Sequence, residues 1–393
     1  MIRAQDLDEL LDSSRQDVLS VALDTDPRRP EHQVVKPAYR IYFRNATRRL
    51  LRTVPRRQRE AVRENLLRIL ARLEDPPQGR GLAIFAAPGL WSEFVLPVPL
   101  PNRIRYGRPD LISVLWAADE YEPVAILAVD QRRVRVLRMY LGGTTLVDAD
   151  EFVLDTSDWK FKSGAMRPAG RKSGMNVSRG RQADPFDARV AAQIERFWRG
   201  AAEAVVEFLR GQRIDRVVLA GTDDSVYAFK TLLPETLQPA IVGTVHLSPP
   251  MTLVEIRRRV LPVALAAEHQ RETALVADLV QQAAGRNLAV VGRTATLGAL
   301  VRGQARLVVA DRGAPGEVWW CNACAYASVH AERCTHCGGP VERVELAHVL
   351  PLMARRHGAG LELISSGAAV LLSRHEGIGA TLRYAISAPA AEG

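Results

Sequence analysis

The residues best suited to chemistry in this chain are its four cysteines, which fall as Cys321-x2-Cys324-x9-Cys334-x2-Cys337 and run directly into Gly338-Gly339. Two such paired knuckles present four thiolates to one tetrahedral ion, and the glycines let the backbone turn tightly around the sulfurs. Two disulfides would use the same residues. A chain without a secretory signal stays in a reducing compartment, where thiols remain free, so zinc is the expected occupant. Four Cys close the coordination shell and leave no position for water, which makes the expected zinc structural rather than catalytic. His330 and His336 lie nearby but are surplus to a complete shell and read as surface residues.

A second constellation is cationic. Between Lys160 and Arg181 the chain carries seven basic residues (Lys160, Lys162, Arg167, Arg171, Lys172, Arg179 and Arg181), four glycines and no acid. Such a stretch cannot bury enough apolar surface to order itself and is expected to meet a polyanion. It ends in Ser178-Arg179-Gly180-Arg181-Gln182. A nuclease would need carboxylates to hold Mg²⁺ there, and the stretch has none. Eleven arginines, among them Arg44, Arg48 and Arg52, lie between Pro37 and Asp75, where Glu60, Glu64 and Glu74 are too few to pair with them. Remaining candidates read as structure. Gly142-Gly143 lacks the Lys-Ser/Thr of a phosphate loop and suits a hairpin turn, and Gly221-Thr222-Asp223-Asp224 suits a helix start capped by Asp223 or Asp224. His246 and His269 read as structural.

These groups must be positioned by a chain of 393 residues, 47% hydrophobic and 25% charged, which is a globular composition with room for several domains. Lysine plus arginine total 53 against 44 acids, for a net charge of +9 that favours a polyanionic partner, with nucleic acid first. Only five of the 53 are lysine, a bias that a GC-rich genome produces by itself. The acidic start, with Asp6, Asp8, Glu9 and Asp12, is no signal peptide, and no run of about 18 apolar residues occurs. The expectation is a cytoplasmic protein with no membrane partner.

The pattern of elements is α/β in three domains. The first, 1–122, holds a strand at Asp17–Asp24, two basic amphipathic helices between Pro37 and Asp75 broken at Pro55, and strands at Leu82–Ala87, Glu93–Pro97 and Leu111–Ala117. The second, 123–247, opens with strands Val124–Asp130 and Val134–Tyr140 and contains the basic loop 160–182. A long helix at Pro185–Leu209 follows, then strands Arg216–Gly221 and Ala240–Val245 flanking a helix at Ser225–Leu232, which argues for a largely parallel sheet. The third, 248–393, restarts with long helices to Gly285, a strand at Leu288–Val291, a short helix capped by Thr294 and a strand at Arg306–Ala310. The cysteine insertion 317–343 precedes a helix at Glu345–His357 and strands at Leu361–Ile364, Ala369–Leu372 and Ile378–Tyr384.

In this order, the VAILAVD strand pair, the Gly-rich loop with Gln182 before a long helix, RVVLAG, the four-cysteine ribbon and the closing Gly377-Ile378-Gly379-Ala380-Thr381-Leu382-Arg383-Tyr384 resemble the archaeal and eukaryotic class-1 translation release factors and Pelota, with their bacterial homologues. The resemblance covers residues 123–393, and the ribbon is similar to that of archaeal members. Active release factors carry Gly-Gly-Gln at the loop tip, which enters the peptidyl transferase centre and positions a water against the peptidyl-tRNA ester. Here the aligned residues are Gly180-Arg181-Gln182, and Arg181 does not share glycine's conformational freedom. The stop-codon motif Asn-Ile-Lys-Ser is absent from the first domain. The resemblance therefore implies a non-enzymatic ribosome-binding factor, closest in character to the ribosome hibernation factor Balon. Such a factor would sit in the A site of an idle 70S ribosome, contact rRNA of the decoding region and the peptidyl transferase centre, work with elongation factor Tu, and bind no DNA. The alternative it implies is a release or rescue factor that hydrolyses peptidyl-tRNA with Gln182.

Overall fold

The structure, a computed structural model, describes residues 10, 15–140, 143–153, 185–212, 214–250, 252–285, 288–313, 315–330 and 332–385. The first segment runs β1 (Val18–Asp24), α1 (Ala38–Thr53), α2 (Arg59–Arg72), β2 (Gly81–Ala87), β3 (Leu90–Leu96), β4 (Arg103–Gly107) and α3 (Ile112–Glu120). Its strands form an antiparallel sheet in the order β3-β2-β1-β4. β1 is buried along its whole length because both faces of this central strand are covered. Leu19, Val21 and Leu23 pack with Leu82 and Ile84 against Tyr39 and Phe43 of α1 and Val62, Leu66 and Ile69 of α2. The opposite face meets α3, where Val114 and Ser113 line a small cavity with Ala22, Ala83 and Phe85.

The stretch expected as a strand at Leu111–Ala117 is the helix α3. Ile112, Ser113, Val114, Trp116, Ala117 and Glu120 are all buried, so the segment has no polar face to reveal a helical period.

The central segment runs β5 (Val124–Val129), β6 (Arg133–Tyr140), β7 (Gly143–Val153), α4 (Pro185–Gln212), β8 (Val217–Gly221), α5 (Asp223–Leu232) and β9 (Ile241–His246). The sheet order is β7-β6-β5-β8-β9. β5, β8 and β9 are parallel, while β6 and β7 run antiparallel, with Tyr140 opposite Gly143 across the hairpin. Alternate residues of β5 face two cores: Ala125, Leu127 and Val129 meet Trp198, Ala201, Val205 and Leu209 of α4, and Val124, Ile126 and Ala128 meet Ile256 and Val260. Gly221 ends β8 where a Cβ would lie 2.3 Å from the Val129 carbonyl oxygen. The cap of α5 is Thr222, whose Oγ1 accepts from the Ser225 N–H, and not Asp223 or Asp224. The hydroxyl precedes the first helical residue, which is where an N-cap must stand.

The last segment runs α6 (Leu253–Ala284), β10 (Ala289–Val291), α7 (Arg293–Val301), β11 (Ala305–Asp311), β12 (Glu317–Cys321), β13 (Tyr326–Ser328), β14 (Glu342–Glu345), α8 (Leu346–Arg356), β15 (Gly360–Ile364), α9 (Ser366–Ser373) and β16 (Ile378–Leu382). One sheet is ordered β10-β16-β11-β15 and the inserted one β13-β12-β14. Two local expectations are corrected. Gly292, at φ 86°, occupies the N-cap of α7 and Thr294 lies inside the helix. Ala369–Leu372 belongs to the helix α9 and not to a strand, since a short apolar run carries no periodicity that separates the two.

By contacts the chain forms two compact units, residues 1–122 with 265–393, and residues 123–264. Among the described residues no helix is long and apolar enough to cross a membrane.

Candidate functional site

The four cysteine sulfurs all lie within 4.8 Å of one another. Cys321 Sγ is 3.5 Å from Cys337 Sγ and Cys324 Sγ is 3.4 Å from Cys334 Sγ, far beyond a disulfide bond of about 2.0 Å. Four thiolates around one Zn²⁺ at about 2.3 Å would stand about 3.8 Å apart, so the donors fit a metal with little movement. The backbone builds this from two equivalent turns. The N–H of Ala325 donates to the Cys321 carbonyl at 2.9 Å, and that of Gly338 donates to the Cys334 carbonyl at 2.8 Å. Both closing residues are left-handed, Ala325 at φ 54° and Gly338 at φ 71°. Glycine announces the second turn in the sequence, whereas alanine conceals the first.

Burial pushes the Cys321 thiol up, but hydrogen bonds from the Cys324 backbone and the Cys337 thiol outweigh it and bring it down to about 7. Burial and the neighbouring thiols push Cys324 up to about 12. The group thus shares protons that a cation would displace. His336 stacks flat on Tyr326, 6.2 Å between ring centroids, and is no part of the donor set.

The ribbon is anchored through β12 and β14, which pair Glu317 with Glu345 and Trp320 with Glu342. Trp320 is buried, and the Arg108 guanidinium lies 5.2 Å over its ring while donating to Glu342 at 3.2 Å. Beside it, Asp110 faces Arg103 Nε at 2.5 Å, Arg105 Nε at 3.6 Å and His348 Nε2 at 3.8 Å, and Arg105 also bonds Glu345. None of these ties to the ribbon and α8 could be read from spacing, because their partners are more than 200 residues apart.

Arg44, Arg48 and Arg52 stand at four-residue intervals on α1, all exposed. No carboxylate pairs with them among the described residues. Other arginines of the hairpin are committed: Arg72 to Glu93 at 2.6 Å, Arg63 to Glu60 at 3.7 Å, Arg59 to the Val54 carbonyl at 2.9 Å, and Arg68 over Trp91 at 4.2 Å. Arg44, Arg48 and Arg63 rim a groove of about 320 Å³ floored by Phe43, Leu51, Leu66, Leu67 and Leu70. The expected contacts Lys160, Lys162, Arg167, Arg171, Lys172, Arg179, Gly180, Arg181 and Gln182 lie outside the described residues.

Residues 109–283, less than half of the chain, match the model of a family described as bacterial archaeo-eukaryotic release factor family 10. No curated protein matches the sequence. Among solved structures, the chain is similar to an archaeal translation termination factor, aRF1, at 15% identity over 97% of each chain with a TM-score of 0.27. It is similar to S. cerevisiae Dom34, described as a translation termination-like factor, at 11% identity over 76% of this chain and 74% of that one, TM-score 0.41. Archaeal Pelota, from a model of its ribosome-bound form with ABCE1, matches at 13% identity over 67% of this chain and 62% of that one, TM-score 0.41.

Proposed function

We propose that the protein is a ribosome-binding translation factor that occupies the A site of idle ribosomes without hydrolysing peptidyl-tRNA. The observation that carries this reading is Gly180-Arg181-Gln182, an altered loop tip in a release-factor homologue. Water attack on a peptidyl-tRNA ester requires backbone close to the ester and a water-sized space beside it. Two glycines leave that space and an arginine side chain fills it.

The basic residues fit the same role. Seven cations without an acid in the loop, together with Arg44, Arg48 and Arg52, which pair with no carboxylate among the described residues, would displace counterions from rRNA, so binding should weaken steeply with salt. In this reading the first of three domains meets the decoding region of the 70S ribosome and the loop points toward the peptidyl transferase centre, with elongation factor Tu as the delivering partner. Cys321, Cys324, Cys334 and Cys337 would hold a structural Zn²⁺ that cross-links the ribbon and takes no part in chemistry.

Gln182 supports the alternative, a rescue factor that hydrolyses the ester. Peptide release from ribosomes loaded with peptidyl-tRNA separates the two. The wild type should release nothing above the no-factor rate, and Arg181→Gly should gain some activity. Release by the wild type that disappears in Gln182→Ala would replace the binding role with the enzymatic one.

A further inference from the structure

The helix α1 carries five arginines, Arg40, Arg44, Arg48, Arg49 and Arg52, and no acid. Phe43, Thr47 and Leu51 follow one another a turn apart on its face toward α2, and Leu66, Leu67 and Leu70 of α2 complete the floor of the groove of about 320 Å³. Arg44 and Arg48 stand on the α1 wall and Arg63 on the α2 wall, so the rim is cationic on both sides. Neither acid of α2, Glu60 or Glu64, lines the groove. Glu60 reaches Arg63 only at 3.7 Å, and with both side chains exposed that pairing is weak.

Two observations show that this surface lacks a partner. Leu67 is 66% exposed beside the buried Phe43 and Leu66. Thr47 Oγ1 is buried without any hydrogen-bond partner, although a helical threonine can bond back to the carbonyl one turn earlier. An apolar floor, an orphaned hydroxyl and cations on both walls call for an occupant with an apolar stripe flanked on each side by anions.

The dimensions narrow the choice. Phe43 to Leu51 spans about two turns of α1, roughly 12 Å at 1.5 Å per residue. A helix laid along such a groove makes contact through residues i, i+3, i+4 and i+7. A fatty acid or other single-headed amphiphile brings one anion to one end and leaves a wall unpaired. Nucleic acid would satisfy the guanidiniums, but leucine offers no face on which a base can stack, and Phe43 is only 2% exposed.

We propose that the α1–α2 groove is a docking site for an acidic amphipathic helix of a partner protein. Its apolar side chains enter between Leu51, Leu66, Leu67 and Leu70, and its carboxylates pair with Arg44 and Arg48 on one flank and with Arg63 on the other. Thr47 Oγ1 then donates to a carboxylate oxygen of the arriving helix. Burial of Leu67 supplies affinity, and the charges orient the helix and exclude basic competitors. This site goes beyond ribosome binding: rRNA and such a helix would contend for Arg44 and Arg48, so ribosome-free protein distinguishes failure of one role from failure of the other.

Fluorescence anisotropy on the full-length, ribosome-free protein uses the labelled peptide ELEELLEELE, which sets leucine at i, i+3, i+4 and i+7 among glutamates, and KLKKLLKKLK as its cationic counterpart. The acidic peptide should bind saturably with a Kd below about 100 µM, and the cationic one at least about tenfold more weakly. Leu67→Glu, and Arg44→Glu combined with Arg48→Glu, change exposed residues and should keep the wild-type circular dichroism while losing at least about tenfold in affinity. The charge swap in the peptide needs no variant, so misfolding of one leaves the result readable. No saturation up to about 1 mM acidic peptide, equal binding of the cationic peptide, or folded variants that bind as the wild type does would each overturn the proposal. Loss of a labelled uridine oligonucleotide, rather than of the peptide, in Leu67→Glu would make the groove an RNA site and overturn it as well.

Discussion

Replacing Asp110 with alanine should destabilise the unit it sits in far more than a surface charge change would. Its side chain is 3% exposed and faces Arg103 at 2.5 Å and Arg105 at 3.6 Å. Burial holds the neighbouring His348 below the usual histidine range despite Asp110 and Glu345, so at neutral pH it adds no positive charge. Two guanidiniums are thus balanced by Asp110 and Glu345, and the substitution leaves one charge uncompensated. Removing one partner of a fully buried pair costs about 3–5 kcal/mol. Arg103 and Arg105 are 26% and 31% exposed and can turn partly toward water, which lowers the expected cost to about 2–3 kcal/mol. Urea unfolding followed by tryptophan fluorescence measures it, since Trp116 and Trp320 both belong to this unit. The sharper test is the sign of the coupling. Arg103→Met in the Asp110→Ala background removes the orphaned cation, so the double variant should lose less than the sum of the single losses. A loss below about 0.5 kcal/mol for Asp110→Ala, typical of a surface position, or strict additivity in the cycle, would refute the charge-balance argument.

Gly221→Ala should cost about 1–3 kcal/mol of the stability of the central unit, because its Cβ would press on the Val129 carbonyl where β5 and β8 pair, and backbone cannot yield as a side chain can. An unchanged thermal midpoint would contradict this. Burial works to raise Asp26, but hydrogen bonds from the Arg28 side chain and backbone and from Arg80 hold it well below the usual carboxylate range. Its contribution is therefore complete above about pH 4 and lost as pH falls through the lowered value. Denaturant midpoints between pH 6 and pH 2 should fall less steeply in Asp26→Asn than in the wild type, and equal slopes would count against the network. Elemental analysis of protein made in zinc-sufficient medium should find about one zinc per chain. Chelation should speed amide exchange in residues 317–343 of the full-length protein and leave exchange in residues 123–264 unchanged; less than half an equivalent of metal would contradict the assignment.

The four-cysteine cluster was legible because its members are close in sequence and the donor type is rare; one insertion holds every cysteine. The hairpin α1–α2 was legible because one of its faces is apolar and another charged. α3 was not, since burial on several sides erases the amphipathic signal, and α9 was not, since Ala-Ala-Val-Leu-Leu suits either kind of element. The joint at Ser365, bonded to Glu120 and Glu272, was invisible for a different reason. Glu120, Glu272 and Ser365 are ordinary residues in their local contexts and acquire meaning only when the fold brings them within hydrogen-bonding distance. The same holds for Asp110, whose partners include His348. Local chemistry with local spacing can be read along the chain, whereas charge balance inside a core depends on the tertiary fold.

Cryo-electron microscopy of the full-length protein mixed with idle 70S ribosomes tests most directly where the protein acts. Density for the protein is expected in the A site, with residues 160–182 extending toward the peptidyl transferase centre and Arg44, Arg48 and Arg52 against rRNA. Ribosomes with an empty A site at saturating protein, or protein bound elsewhere on the particle, would contradict it.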